Sequence, residues 1–188
     1  DIRKKLDKNL DSVLASSRNN IKYISEIIDE IMAKPYKKAK LLDFKNPDKY
    51  IGPHIGCKKG YGTNEGIRAN AASGGMVTSL LCNLLKHGDI DGAWVTKTDF
   101  VNGELTYKTY VATTEEEIRD ASSSVYMTIP LLKHIDVIKN FNGKVAVVMT
   151  PCMLRGLDAI LKKDDALREK VVLKLGLYCS GTHSPKAT

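Results

Sequence analysis

The run KVAVVMT, residues 144–150, restricts what this chain can become more than any other stretch. A nearly unbroken β-branched and apolar segment of this kind is typical of a strand buried on both faces. Pro151 and a helical pattern over 153–163 follow at once, and VVLKLGLYC (171–179) supplies a second strand. Strand, helix, strand implies a right-handed crossover between parallel strands, so helices must cover the sheet.

The remaining pattern agrees. AASGGMVTSLLCNLLKHG reads as a core-facing helix with Met76, Val77, Leu80, Leu81, Leu84 and Leu85 on one stripe, Ser73 as its N-cap and Gly88 as its stop. GAWVTK (92–97) and LTYKTYVAT (105–113) read as strands. TEEEIRDA reads as a short helix capped by Thr113 or Thr114, and IPLLKHIDVIKNF as a longer one. The expected fold is α/β: a mixed, largely parallel sheet with covering helices, preceded by an N-terminal helical segment.

Three regions divide the chain. Residues 1–34 carry apolar positions at helical spacing and read as two amphipathic helices, either packed on the core or forming a partner-binding hairpin. Residues 35–66 are a long Gly/Lys-rich connection with one possible short strand at 55–58, too long to dismiss as a linker. Residues 67–188 are the α/β domain. The sequence ends directly after a core strand, so a longer parent protein is expected.

No run of about 18 apolar residues exists to span a bilayer, and the N-terminus lacks the apolar segment of a secretory signal. A cytoplasmic location is expected. The net charge of +7 favours acidic partners. With three Phe and no aromatic-basic motif of an RNA-binding sheet, nucleic acid is not expected among them.

Chemistry concentrates at three places. Ser73-Gly74-Gly75 gives up helix propensity at a helix start, which is explained by a phosphate approaching bare N–H groups or by a tight turn packed on a neighbour. Thr150-Pro151-Cys152 puts a thiol in the first turn of a helix, where the dipole favours thiolate; Cys152 is then an iron ligand or nucleophile, or else a small buried hydrophobe. Cys179 ends the next strand, so both cysteines should emerge at the carboxyl edge of the sheet, where open α/β sheets bind ligands. Cys82 reads as core, and Cys57 is open. His183 is either a neighbour of Cys179 or a solvated loop residue. No C-x-x-C pair is present. The acidic run 115–117 reads as a helix start, and no nucleophile-base pair identifies catalytic residues.

In this order, the blocks GCKKGYGTNEGIRANAASGGMVTSLLCNLLKHGDIDGAWV, ATTEEEIRDASSSVY, GKVAVVMTPCMLRGLDAIL and LKLGLYCSGTHS resemble the coenzyme F420 hydrogenase/dehydrogenase beta-subunit family of iron-sulfur flavoproteins. The resemblance implies an oxidoreductase in which FAD links hydride exchange with a soluble coenzyme of the deazaflavin type to single-electron transfer through a 4Fe-4S cluster. It implies Cys152 and Cys179 as cluster ligands. Ser73, Gly74, Gly75, Thr78, Ser123, Ser124, Tyr126 and Thr150 are implied around the flavin. A redox coenzyme or ferredoxin, and a hydrogenase or dehydrogenase subunit, are the implied partners. The family's usual glycine before T-P-C is Met149 here, which would crowd a cofactor, and further cluster ligands are expected outside this segment. The rival reading is a cofactor-free structural or partner-binding domain.

Overall fold

The computed structural model describes Gly56, residues 58–179 and Gly181. The two helices expected over residues 1–34, most of the connection after them, Cys57 and His183 lie outside the described residues. The chain divides into two compact units, Asp1–Thr63 and Asn64–Thr188, and every element below belongs to the second.

That unit runs α1 (Glu65–Ala69), α2 (Met76–His87), β1 (Gly92–Val101), β2 (Glu104–Ala112), α3 (Glu115–Asp120), a 3-10 turn (Leu131–His134), α4 (Asp136–Lys139), β3 (Val145–Met149), α5 (Pro151–Leu161), α6 (Asp165–Lys170) and β4 (Val171–Gly176). The sheet order is β2-β1-β3-β4. β1, β3 and β4 are mutually parallel, and β2 is antiparallel to β1 at one edge. The sheet is therefore mixed and largely parallel, as the sequence implies.

Side-chain alternation assigns a helix layer to each face. Trp94 packs with Val145, Val147 and Met149 against Leu131, Ile138, Leu157, Leu161 and Leu167, which come from the 3-10 turn, α4, α5 and α6. Its indole N–H donates to Thr109 Oγ1 at 2.7 Å, so the buried ring leaves no unmet donor. Ala93 and Val95 point the other way. On that face the Tyr110 hydroxyl donates to the Glu117 carbonyl of α3 at 3.2 Å, while Cys82 of α2 faces the Glu115 carbonyl at 4.0 Å.

Local chemistry fixes the boundaries. β1 runs on past the expected strand end because Asn102 and Gly103, both at positive φ (54° and 81°), close a two-residue hairpin to β2. Of the two threonines, Thr114 caps α3. Its side chain accepts from the Glu117 N–H, and the Glu117 carboxylate accepts from the Thr114 N–H in return.

The helix expected over IPLLKHIDVIKNF breaks instead into the 3-10 turn and one turn of α4. Pro130 enters it with ψ 60°, outside helical values, and the His134 ring is held by the Tyr107 hydroxyl at 3.0 Å. Two short helices, α1 and α6, were not expected; Asn64 and Asp164 cap them by accepting from the Ile67 and Leu167 N–H groups.

Candidate functional site

Because β1, β3 and β4 are parallel, their carboxyl ends share one edge. β3 ends at Met149, and Thr150 then serves as the N-cap of α5 with Pro151 in its first turn. The Thr150 side chain makes no cap hydrogen bond. Its hydroxyl lies 3.2 Å from Cys152 Sγ, and Cys152 is exposed.

The Leu177 N–H donates to the Met149 carbonyl at 2.9 Å, which holds the segment after β4 beside the end of β3. Tyr178 and Cys179 leave from there, both exposed. The structure thus brings Cys152 and Cys179 to the same edge as free thiols. Met149 does not crowd it: contrary to expectation, its side chain is turned into the core, 2% exposed.

Cys82 differs in kind. It is buried in α2, and burial pushes its thiol above the ordinary range, with Glu115 adding to the effect and Arg119 opposing it. Among the described residues no three His, Cys, Asp or Glu side chains converge on one point suited to a metal ion.

The Ser-Gly-Gly turn is built otherwise than expected. Ser73 is exposed and caps nothing; the N-cap of α2 is Gly75, in the left-handed region at φ 70° with no side-chain cap. A Cβ at Gly75 would lie 3.2 Å from Ile67 Cγ2 of α1. Backbone handedness and close packing both demand glycine there, which accounts for its lost propensity without a ligand.

Beside this turn opens a cleft of ≈ 520 Å³, lined by Gly66, Ile67, Asn70, Thr78, Arg119, Asp120, Ser122 and Ser123. It unites two of the expected residues, Thr78 and Ser123. Ser73, Gly74, Gly75, Ser124 and Tyr126 are not among its walls, and Tyr126 is 65% exposed. Sequence reasoning missed Asn70 and Arg119, although Arg119 stands four residues after Glu115 on a helix leading straight into Ser122–Ser124.

The charges of the cleft are partly matched. Asp120 takes the Lys97 ammonium at 2.7 and 2.9 Å, and this hydrogen bond raises the Lys97 pKa above its ordinary value. Arg119 meets Glu115 at a looser 3.3 Å. Since Lys97 lies midway along β1, beyond its pairing with β3, the C-terminal end of α3 and the cleft lie toward the carboxyl edge.

Comparison with known proteins identifies the blocks. The family model described as coenzyme F420 hydrogenase/dehydrogenase, beta subunit N-term, matches residues 57–136, and the companion model for the carboxyl terminus of the same beta subunit matches residues 142–188. An uncharacterised protein of Methanocaldococcus jannaschii is 36% identical over 121 residues, covering 61% of this chain and 33% of that protein. A chain of the F420-reducing NiFe hydrogenase complex from Methanosarcina barkeri, solved as a xenon derivative, superposes with a TM-score of 0.60 and 27% identity over 68% of this chain and 45% of that one. The present chain spans less than half the length of either relative.

Proposed function

This chain belongs to the coenzyme F420 hydrogenase/dehydrogenase beta-subunit family, and from that premise we propose that it is the cofactor-bearing part of an electron-transfer oxidoreductase subunit. The observation that carries the reading is the placement of two exposed thiols, Cys152 and Cys179, just past the ends of adjacent parallel strands, with a polar cleft toward the same edge of the sheet.

The donor set fits half of an iron-sulfur site. Such clusters are held by cysteine thiolates, usually four. Cys152 and Cys179 are two soft, solvent-accessible donors, and the others must come from beyond the described residues. Cys82 is excluded by burial in α2. Thr150 holds the Cys152 sulfur in place through its hydroxyl.

The cleft fits part of a flavin. Its volume lies in the range of small-molecule sites, and its wall offers an Arg, an amide, three hydroxyls and the Lys97-paired Asp120 carboxylate around one apolar side, Ile67. Thr78 and Ser123 orient the bound group, and Ser73, Ser124 and Tyr126 stand exposed to meet parts of it outside the cleft. When bound, FAD supplies the link between hydride exchange with a soluble coenzyme and single-electron transfer to iron. A hydrogenase or dehydrogenase subunit, or a ferredoxin, is the proposed electron partner, consistent with the assembly to which the Methanosarcina chain belongs. Among the described residues no helix is long and apolar enough to cross a membrane.

Visible absorption tests the reading. Protein purified without oxygen should show flavin bands near ~450 nm over a broad iron-sulfur shoulder. A spectrum lacking both contradicts it and favours the cofactor-free, partner-binding alternative.

A further inference from the structure

We propose that the cleft beside Arg119 recognises a phosphate or diphosphate group, with Arg119 as its anion clamp and Glu115 as a built-in competitor for that clamp. This rests on the reading of the cleft as a cofactor site and names what the cleft recognises.

Arg119 is the cation that lines the cleft, and its guanidinium faces both the Glu115 carboxylate and the Cys82 thiol. Its contact to Glu115 spans 3.3 Å across one turn of α3, with both side chains about two-fifths exposed. Charge-assisted bonds of full strength close to about 2.7–2.9 Å, and an exposed helix pair of this kind contributes little. The guanidinium carries five N–H donors in a planar fork, so beside Glu115 and Cys82 it still has N–H groups for a ligand with several acceptor oxygens.

The one carboxylate on the wall does not repel an anion at full charge. Asp120 is ion-paired to Lys97 at 2.7 Å. Neutral donors complete the ring. The Asn70 amide spends one N–H on the Gly66 carbonyl at 2.9 Å and keeps the other, and the Ser122 hydroxyl makes only a long 3.5 Å contact to the Asn70 carbonyl.

Thr78 comes from the first turn of α2, a twelve-residue helix with no side-chain cap, so the positive end of its dipole adds to the field at the cleft. Arg, hydroxyls and an amide around one opening suit a group with three or more acceptor oxygens better than a single planar carboxylate.

The same chemistry could come from the diphosphate of a dinucleotide cofactor or from a free phosphorylated ligand, and titration separates them. Inorganic pyrophosphate is titrated calorimetrically into the full chain at low salt. Arg119→Gln should weaken binding about tenfold, the loss of one charge-assisted contact. Arg119→Lys, which keeps the charge and loses the fork, should fall between.

Glu115→Gln should strengthen binding about twofold, because it frees the clamp. A misfolded variant cannot produce that gain. Competition of pyrophosphate with FAD assigns the site to the dinucleotide; undisturbed FAD binding assigns it to a free phosphorylated ligand. Absent FAD binding with intact pyrophosphate binding removes the cofactor reading and leaves the clamp. No pyrophosphate binding, or equal affinity in wild type and Arg119→Gln, overturns the proposal.

Discussion

The Thr150 hydroxyl lies 3.2 Å from Cys152 Sγ, at a helix start where it makes no cap hydrogen bond. A threonine in this position ordinarily accepts from an N–H of the first turn and stabilises the helix by about 1 kcal/mol. Here the hydroxyl serves the sulfur instead.

The two threonine caps should therefore differ in urea unfolding. Thr114→Ala removes a working capping box on α3 and should cost about 1 kcal/mol. Thr150→Ala removes no cap bond and should stay within about 0.5 kcal/mol. Equal losses, at unchanged slope, would show that Thr150 caps α5 after all.

The same capping box sets a pH dependence. N–H donation from Thr113 to the Glu117 carboxylate, helped by Thr114, holds that carboxyl below its usual pKa. A lowered folded-state pKa contributes stability above the unfolded value, about 4.3, and the contribution is lost as pH falls through the folded one. Solvent screening at this exposed site keeps it small. Urea midpoints of wild type and Glu117→Gln should converge as the solution is acidified below about pH 4. A gap that stays constant with pH would contradict the assignment.

Thiol labelling should separate the cysteines by place. Cys152 and Cys179 are exposed, whereas Cys82 is 5% exposed with its thiol raised by burial. Mass mapping after brief alkylation of the native protein should find the first two modified, and Cys82 only after denaturation. Early modification of Cys82 would mean that α2 opens readily.

Much of this was legible because it depends on period and burial alone. The run at 144–150 became β3, and TEEEIRDA became a capped helix. Cys82 proved to be core, as its place in the leucine stripe suggested. What the sequence hid depends on contacts between distant residues. Ser73 looked like the cap because serine is a good one, but Ile67 packs against the turn and selects Gly75 in a left-handed conformation.

Met149 looked obstructive until the strand's alternation turned it inward. The cleft stayed hidden because Asn70 just past α1, Thr78 of α2 and Arg119 of α3 converge from separate elements. No spacing in the sequence reports that convergence.

Iron content of cysteine variants tests the central claim most directly. Wild type, Cys152→Ser, Cys179→Ser and Cys82→Ser are reconstituted without oxygen, and iron and sulfide are measured alongside far-ultraviolet dichroism. The account predicts that the first two variants lose most of their iron while staying folded, and that Cys82→Ser keeps iron but loses stability by about 1–3 kcal/mol, the cost of a poorly paired buried hydroxyl. Iron equal to wild type in Cys152→Ser and Cys179→Ser would contradict it.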